Sequence, residues 1–351
     1  MERKRIDWID FAKGLAIMLV IIGHCVHEGK IGATLQGFIY SFHMPLFFIL
    51  SCTTYSYSKN SIDYKNKIVK SAKHLLFPVL LIFTFQIIIQ CILDTSKIYN
   101  VYFWTDKFYT LLYSSAPDLS ILGGWKTIVG IGTSWFFIVL FWGRSIFDYI
   151  HMKINDDSIL MLFSLIIGTI GVIAGTIGRI LDNVYFGIFS SDIALACMPF
   201  FYFGYYLKNH PLRDETIKKM LIWFIIWVFT LLIQFHDYNN ITFLVLGDRK
   251  YYFFPLCYLT AIAGMLFISY FSVLCCKLKK LSVPITIIGK NSLYLLCVHI
   301  LDYLWQDKYY VVGHQFYTAL KRLGIDLAIS IAIICCKCII NQIIMMNKIK
   351  R

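Results

Sequence analysis

Within the first fifty residues, Asp10, Lys13, His24, His43 and Ser51 stand where a membrane segment should be apolar. They interrupt W-I-D-F-A-K-G-L-A-I-M-L-V-I-I-G-H and Y-S-F-H-M-P-L-F-F-I-L-S. A charged side chain at the bilayer centre costs ~2.5–3.5 kcal/mol on insertion scales, so such residues face an interior cavity and mark function. A neutral imidazole takes a proton from a hydroxyl near neutral pH, which makes His24 a candidate general base and His43 a second candidate. Lys13 precedes His24 by eleven residues, roughly 16 Å along one helix, or about half a hydrocarbon core. Asp10, three residues before Lys13, can pair with it across a helix face. The candidate catalytic set is therefore His24, His43, Asp10 and Lys13. Each also has a structural reading. Asp10 and Lys13 could be an ion pair within the bundle. His24 could bond a neighbouring helix or sit at the interface beside His27. His43-Met44-Pro45 could be a kink whose freed carbonyl meets a polar partner.

A second group suits a polyanion. Lys65, Lys67, Lys70 and Lys73 lead into an apolar run as K-N-K-I-V-K-S-A-K-H-L-L-F-P. With Lys13, Ser51 and Arg144 they form a cation-rich cluster able to hold phosphates as point charges. The alternative is plain topology signalling and attraction to anionic lipid. A third group, Trp135, Asp192, His299 and Asp302, gathers in the opposite half. His299 and Asp302, three residues apart, could orient each other; the outer Trp and Tyr read mostly as interfacial belt residues, although some could stack on sugar rings.

These residues need membrane elements to position them. The chain has 351 residues, is 58% hydrophobic and 15% charged, and has a mean hydropathy of +0.67. Soluble domains run nearer a quarter charged. Apolar runs of spanning length lie at 8–26, 33–56, 74–94, 132–150, 158–180, 186–207, 218–235, 252–276, 283–304 and 324–346. They predict an all-α polytopic transmembrane bundle of about ten helices, as one integral-membrane domain over 1–351 with no soluble domain. A β-barrel would show short alternating segments instead. W-T-D-K-F-Y-T-L-L-Y, in the long connection at 95–131, reads as an interfacial amphipathic helix anchored by Trp104 and Tyr113. The basic start (Arg3, Lys4, Arg5) resembles a signal peptide. Asp10, Lys13 and the length of the run favour a retained first helix. The eleven cysteines fall mostly inside apolar runs as small polarisable residues, so neither a disulfide framework nor a metal site is expected.

Charge sets the expected topology. With the N-terminus inside, the basic clusters at Arg3–Arg5, Lys59–Lys73, Lys208–Lys219, Lys277–Lys280 and Lys348–Arg351 all fall on inner segments. The positive-inside rule then puts both termini in the cytoplasm. The net charge of +13 is thus a topology signal rather than a sign of nucleic-acid binding. The cationic cluster lies at the inner face, and the His and Asp cluster lies in the outer half.

The motifs resemble those of the acyltransferase 3 family of bacterial integral-membrane O-acyltransferases, which acylate cell-surface sugars and related envelope acceptors. That family's first helix carries D-x-L-R-G and then, ten intervening positions after the basic residue, His. The matching residues are Asp10-Phe11-Ala12-Lys13-Gly14 and His24. Phe42-His43-Met44-Pro45-Leu46-Phe47-Phe48-Ile49-Leu50-Ser51 resembles F-H-M-P-L-F-F-x-x-S. Lys70, Lys73 and Pro78 resemble the basic lead into the third helix. Ser134-Trp135-Phe136 and Asn291-Ser292-Leu293-Tyr294 through His299 resemble later motifs. The H-M-P and N-S-L-Y forms are most similar to the fucose 4-O-acetylase-like branch. Lys13 replaces the family's Arg and loses its bidentate fork. Cys52 replaces the Gly after the motif Ser.

The resemblance implies a bacterial cytoplasmic-membrane enzyme that transfers an acyl group, acetyl by expectation, from acyl-CoA to a glycan or lipid-linked sugar. Lys13, Ser51, Lys70, Lys73 and Arg144 would hold the donor. Trp135, Asp192, His299 and Asp302 would meet the acceptor. Ser51, near the inner face with no His close in sequence, is a poor nucleophile. The lipid bilayer is the expected partner, and no nucleic acid is. A polysaccharide or small-solute exporter is the rival reading, and it predicts repeat symmetry between halves, which the sequence lacks. A lipid-binding sensor is a third reading, in which His24 is dispensable.

Overall fold

In hydrocarbon every backbone N–H and C=O must find its partner within its own segment, so long apolar runs fold as helices. The computed structural model describes residues 6–121, 126–181, 187–212, 216–237, 240–241, 243–302 and 313–349. Arg3, Lys4, Arg5, Arg213, Lys350 and Arg351, used above for topology, lie outside the described residues. The helices are α1 (Asp7–Gly23), α2 (Gly29–Tyr40), α3 (His43–Thr53), α4 (Ser61–Leu93), α5 (Val101–Tyr113), α6 (Trp135–Lys153) and α7 (Asp157–Ile180). They continue as α8 (Ser191–Ala196), α9 (Met198–Asn209), α10 (Thr216–Gln234), α11 (Leu256–Lys277), α12 (Lys279–Lys290), α13 (Ser292–Leu301) and α14 (Gln315–Ile349). Two small antiparallel pairs, Leu119–Ile121 with Lys126–Ile128 and Phe235–Asp237 with Asn240–Ile241, cap the loops.

All ten apolar runs coincide with helical elements, so the chain is an all-α membrane bundle. Among the described residues, six helices are long and apolar enough to cross a bilayer. There are eight if the bent pairs α8–α9 (56°) and α12–α13 (68°) each count as one span. The remaining two runs form α1 and α6. α1 has 17 residues, about 25 Å at 1.5 Å per residue. It packs against α2, α3, α11, α12, α13 and α14 and so lies among other helices. The segment expected to lie at the interface folds as α5, which exposes Val101, Tyr102, Trp104 and Phe108.

Three local features position the chemistry. α4 opens with a reciprocal cap: the Asn60 side chain accepts from the Asp63 N–H at 2.9 Å, and the Asp63 carboxylate accepts from the Lys59 N–H at 3.2 Å. At the α2–α3 break, Pro45 removes one N–H. There the Ser41 hydroxyl donates to the Phe38 carbonyl at 2.8 Å, and His43 Nδ1 donates to the Ile39 carbonyl at 2.9 Å. Both bonds satisfy carbonyls of the last turn of α2. Finally, α1 and α12 touch backbone to backbone at Gly14 and Gly289. A methyl group on Gly289 would overlap the Asp10 carbonyl, and one on Gly14 would overlap that of Ile285. Only small residues let membrane helices approach this closely. Gly289→Ala should therefore force the two helices apart and lower stability by about 1–3 kcal/mol. An unchanged thermal midpoint in detergent would contradict this packing.

Candidate active site

Four cavities run in series through the bundle, each sharing lining residues with the next. The first, about 920 Å³, is lined by Asp10, Lys13, Lys208, Lys290 and Lys337 among others. It shares Lys13, Thr54 and His74 with a second cavity of about 440 Å³. The second takes Lys67, Lys70, Ser71, His74 and Leu75 from α4, a helical face at spacings of three and four. It also takes Ser51 from α3 and Arg144 from α6.

Arg144 is tightly placed. Its guanidinium donates to Ser51 Oγ at 3.1 Å and to Ser71 Oγ at 2.8 Å. It also lies over the Tyr55 ring, 4.8 Å from the centroid. One turn further along α6, fully buried Asp148 accepts from the Tyr55 hydroxyl (2.9 Å), the Ser58 N–H (2.7 Å) and the Ser58 hydroxyl (2.6 Å). These bonds tie the chain after α3 to α6 and hold Ser51 opposite Arg144.

The second cavity ends at a wall. Ile17, Phe47, Phe136 and Leu296 line both it and a third cavity of about 320 Å³. The Phe47 and Phe136 rings meet edge-on at 5.8 Å. Beyond this apolar collar, the third cavity is lined by His24, Tyr40, His43, Trp135 and residues 244–248. Its far side opens past His24, Gly132 and Thr133 to a fourth cavity of about 430 Å³. That cavity is polar, with Gln86, Gln90, Lys107, Thr110, His299, Asp302 and Arg322.

His24, just past the end of α1, stands between these last two cavities. Its exposure is to cavity space, since it lines both. Its Nδ1 is 3.2 Å from the Tyr40 hydroxyl. Its ring centroid is 5.3 Å from that of His299, and Tyr40 contacts His43 in turn at 4.9 Å. His299 Nδ1 is 3.1 Å from Asp302 Oδ2 and 3.2 Å from Asp326 Oδ2. The Arg322 guanidinium grips both Asp302 oxygens. The spacing of His299, Asp302 and Asp326, all within 4.8 Å, could hold a metal ion. Arg322 already supplies a positive charge on Asp302, and a bound cation would have to share that carboxylate with it.

The structure thus brings Lys13, Ser51, Lys70 and Arg144 to one cavity, and His24, His43 and Trp135 to another. Lys13 is also shared with the cavity that contains Asp10. Two expected residues are elsewhere. Lys73 is exposed and lines none of the four cavities, because its position on α4 is rotated well away from the Lys70–Ser71–His74 face. Asp192 also lines none of them. It is buried in a bidentate pair with Arg249, at 2.5 and 3.0 Å, and Arg249 also donates to Ser115 at 3.1 Å. That pair anchors the loop whose residues 244–248 wall the third cavity. Tyr40, Ser71, Arg322 and Asp326 were not singled out from the sequence. Arg322 and Asp326 lie one helical turn apart, a signal that the i, i+4 rule could have raised.

The family model described as an acyltransferase domain matches residues 6–342. The chain belongs to the acyltransferase 3 family. No curated protein and no solved structure matches it. The cavity series is therefore the interior of a membrane acyltransferase.

The Arg249–Asp192 pair yields a prediction for this acyltransferase. Removing one partner of a buried pair costs ~3–5 kcal/mol, because the other charge is left uncompensated. Arg249→Leu should lower the thermal midpoint sharply, and adding Asp192→Asn should recover part of the loss. No recovery in the double variant would show that the two residues act separately.

Proposed function

We propose that this acyltransferase transfers an acyl group, acetyl in our reading, from acyl-CoA to a hydroxyl of a cell-envelope glycan or lipid-linked sugar in a bacterial cytoplasmic membrane. The observation that carries the reading is the cavity series, with cations at one end, His24 between two cavities near the other, and an apolar collar between. Acyl-CoA has the same build: a polyphosphate head, a thin arm and a terminal thioester. The phosphates would enter from the Lys-rich end, which the reading places in the cytoplasm, to meet Lys13, Lys70 and Arg144. Lys67 is already paired with Asp63 at 2.7 Å. The pantetheine arm would pass Ile17, Phe47, Phe136 and Leu296 and deliver the thioester to the cavity beyond. The acceptor would occupy the fourth cavity, where amide and hydroxyl side chains suit a polyol.

His24 touches both spaces. With its Nδ1–H donating to the Tyr40 oxygen, the Nε2 lone pair is the base. It takes the proton as the acceptor O–H bond breaks, and the acceptor oxygen attacks the thioester carbonyl. The C–S bond then breaks, and the CoA thiolate recovers the proton from His24. His43 Nδ1 is committed to the Ile39 carbonyl, so its Nε2 is an acceptor for substrate in the same cavity.

The test is an acyl-CoA titration on the purified protein. Lys70→Ala should raise the KM for acyl-CoA about 3- to 10-fold with kcat little changed, as expected when binding common to ground and transition states is lost. The effect should shrink at high salt, because exposed charges are screened over ~8–10 Å. Lys73→Ala should leave the KM unaltered. His24→Ala should retain folding and lose ~10²–10⁴ in rate. An unchanged acyl-CoA dependence in Lys70→Ala would remove the cationic cavity from donor binding.

A further inference from the structure

We infer that Asp326, acting through His299, is a positioning residue that stabilises positive charge on His24 as it takes the acceptor's proton. The inference rests on His24 being the base. Its support is the corner of the fourth cavity formed by α13 and α14. His299 is 3% exposed, Asp302 1% and Asp326 0%, so water does not screen these groups. A carboxylate oxygen only accepts hydrogen bonds, so the His299 nitrogen facing Asp302 and Asp326 must carry hydrogen. This fixes the ring's tautomer and its orientation. The same ring lies 5.3 Å, centroid to centroid, from His24, tilted by 35°.

The charge balance gives the grip a purpose. Two carboxylates meet on His299, but Arg322 grips only one of them, Asp302. Among the described residues, its other hydrogen bond is to Cys25 Sγ at 3.6 Å. Asp326 Oδ1, buried, has no hydrogen-bond partner among the described residues. Lys107 faces the same cavity from α5 and has a ring contact with Phe103 at 5.3 Å. Within the α13–α14 corner itself, with His299 neutral, Asp302, Asp326 and Arg322 sum to one net negative charge, which a proton on His24 would balance. At low effective dielectric, a carboxylate held behind the neighbouring His299 ring favours a developing imidazolium on His24 and lowers the barrier without touching substrate. No atom is transferred to Asp326: the proton moves from the acceptor oxygen to His24 and from there to the thiolate.

Asp326→Asn is the informative variant. It is isosteric and keeps a carbonyl oxygen able to accept from His299, so it removes charge and leaves geometry. Steady-state kinetics with acyl-CoA and a hydroxyl acceptor, together with thermal midpoints, should be compared for wild type, Asp326→Asn and His24→Ala. The expected result is a fall in kcat of about 10- to 100-fold for Asp326→Asn. Both KM values and the midpoint should stay within two-fold and a few degrees of wild type. A wild-type kcat in Asp326→Asn while His24→Ala is inactive would overturn the inference and leave the His24 reading standing. A fall in kcat matched by a fall in midpoint would also overturn it, by making Asp326 a purely structural group. An active His24→Ala would instead remove the reading on which the inference rests.

Discussion

The contact on which the site depends is the crossing of α1 and α12 at Gly14 and Gly289. α1 carries both Lys13 and His24 and packs against six other helices. α12 bends by 68° into α13, which carries His299. Backbone contact at the two glycines fixes how far apart these helices stand. That distance in turn sets the separation of the His24 and His299 rings and the width of the passage at Ile17 and Leu296. In a bilayer, helices gain little from apolar burial against one another, so close packing of small residues does much of the work.

The second organising constraint is electrostatic. Charges inside a membrane are tolerated where protein walls a cavity around them. The bundle divides its charges between two such spaces and puts four apolar side chains between them. Arg144 is held by two hydroxyls and an aromatic face, an arrangement that positions a cation without neutralising it. Asp192 and Arg249, by contrast, neutralise each other and serve the architecture. The distinction between a poised charge and a satisfied one separates site from scaffold throughout this molecule.

Much of this was legible in the sequence. The ten apolar runs all became helical elements because hydrocarbon leaves the backbone little choice. The spacing of Lys13 and His24 placed them eleven residues apart along one helix, Lys13 within α1 and His24 just past its end, and His299 with Asp302 met at i and i+3. Asp192 misled because an intramembrane carboxylate looks functional until its partner is known, and Arg249 lies 57 positions away. Lys73 misled because a run of lysines does not reveal which face of α4 turns inward. Tyr40 gave no signal, and Asp326 only its spacing to Arg322, because their roles arise from contacts between helices, which periodicity within one helix does not encode.

The central claim is that donor and acceptor reach His24 from opposite sides of the membrane. It is tested most directly in sealed proteoliposomes of known protein orientation, with acyl-CoA supplied on one side and a membrane-impermeant hydroxyl acceptor on the other. The account predicts acyl transfer only when acyl-CoA is on the Lys-rich side and the acceptor on the side of His24. Transfer that requires both substrates on the same side would contradict it.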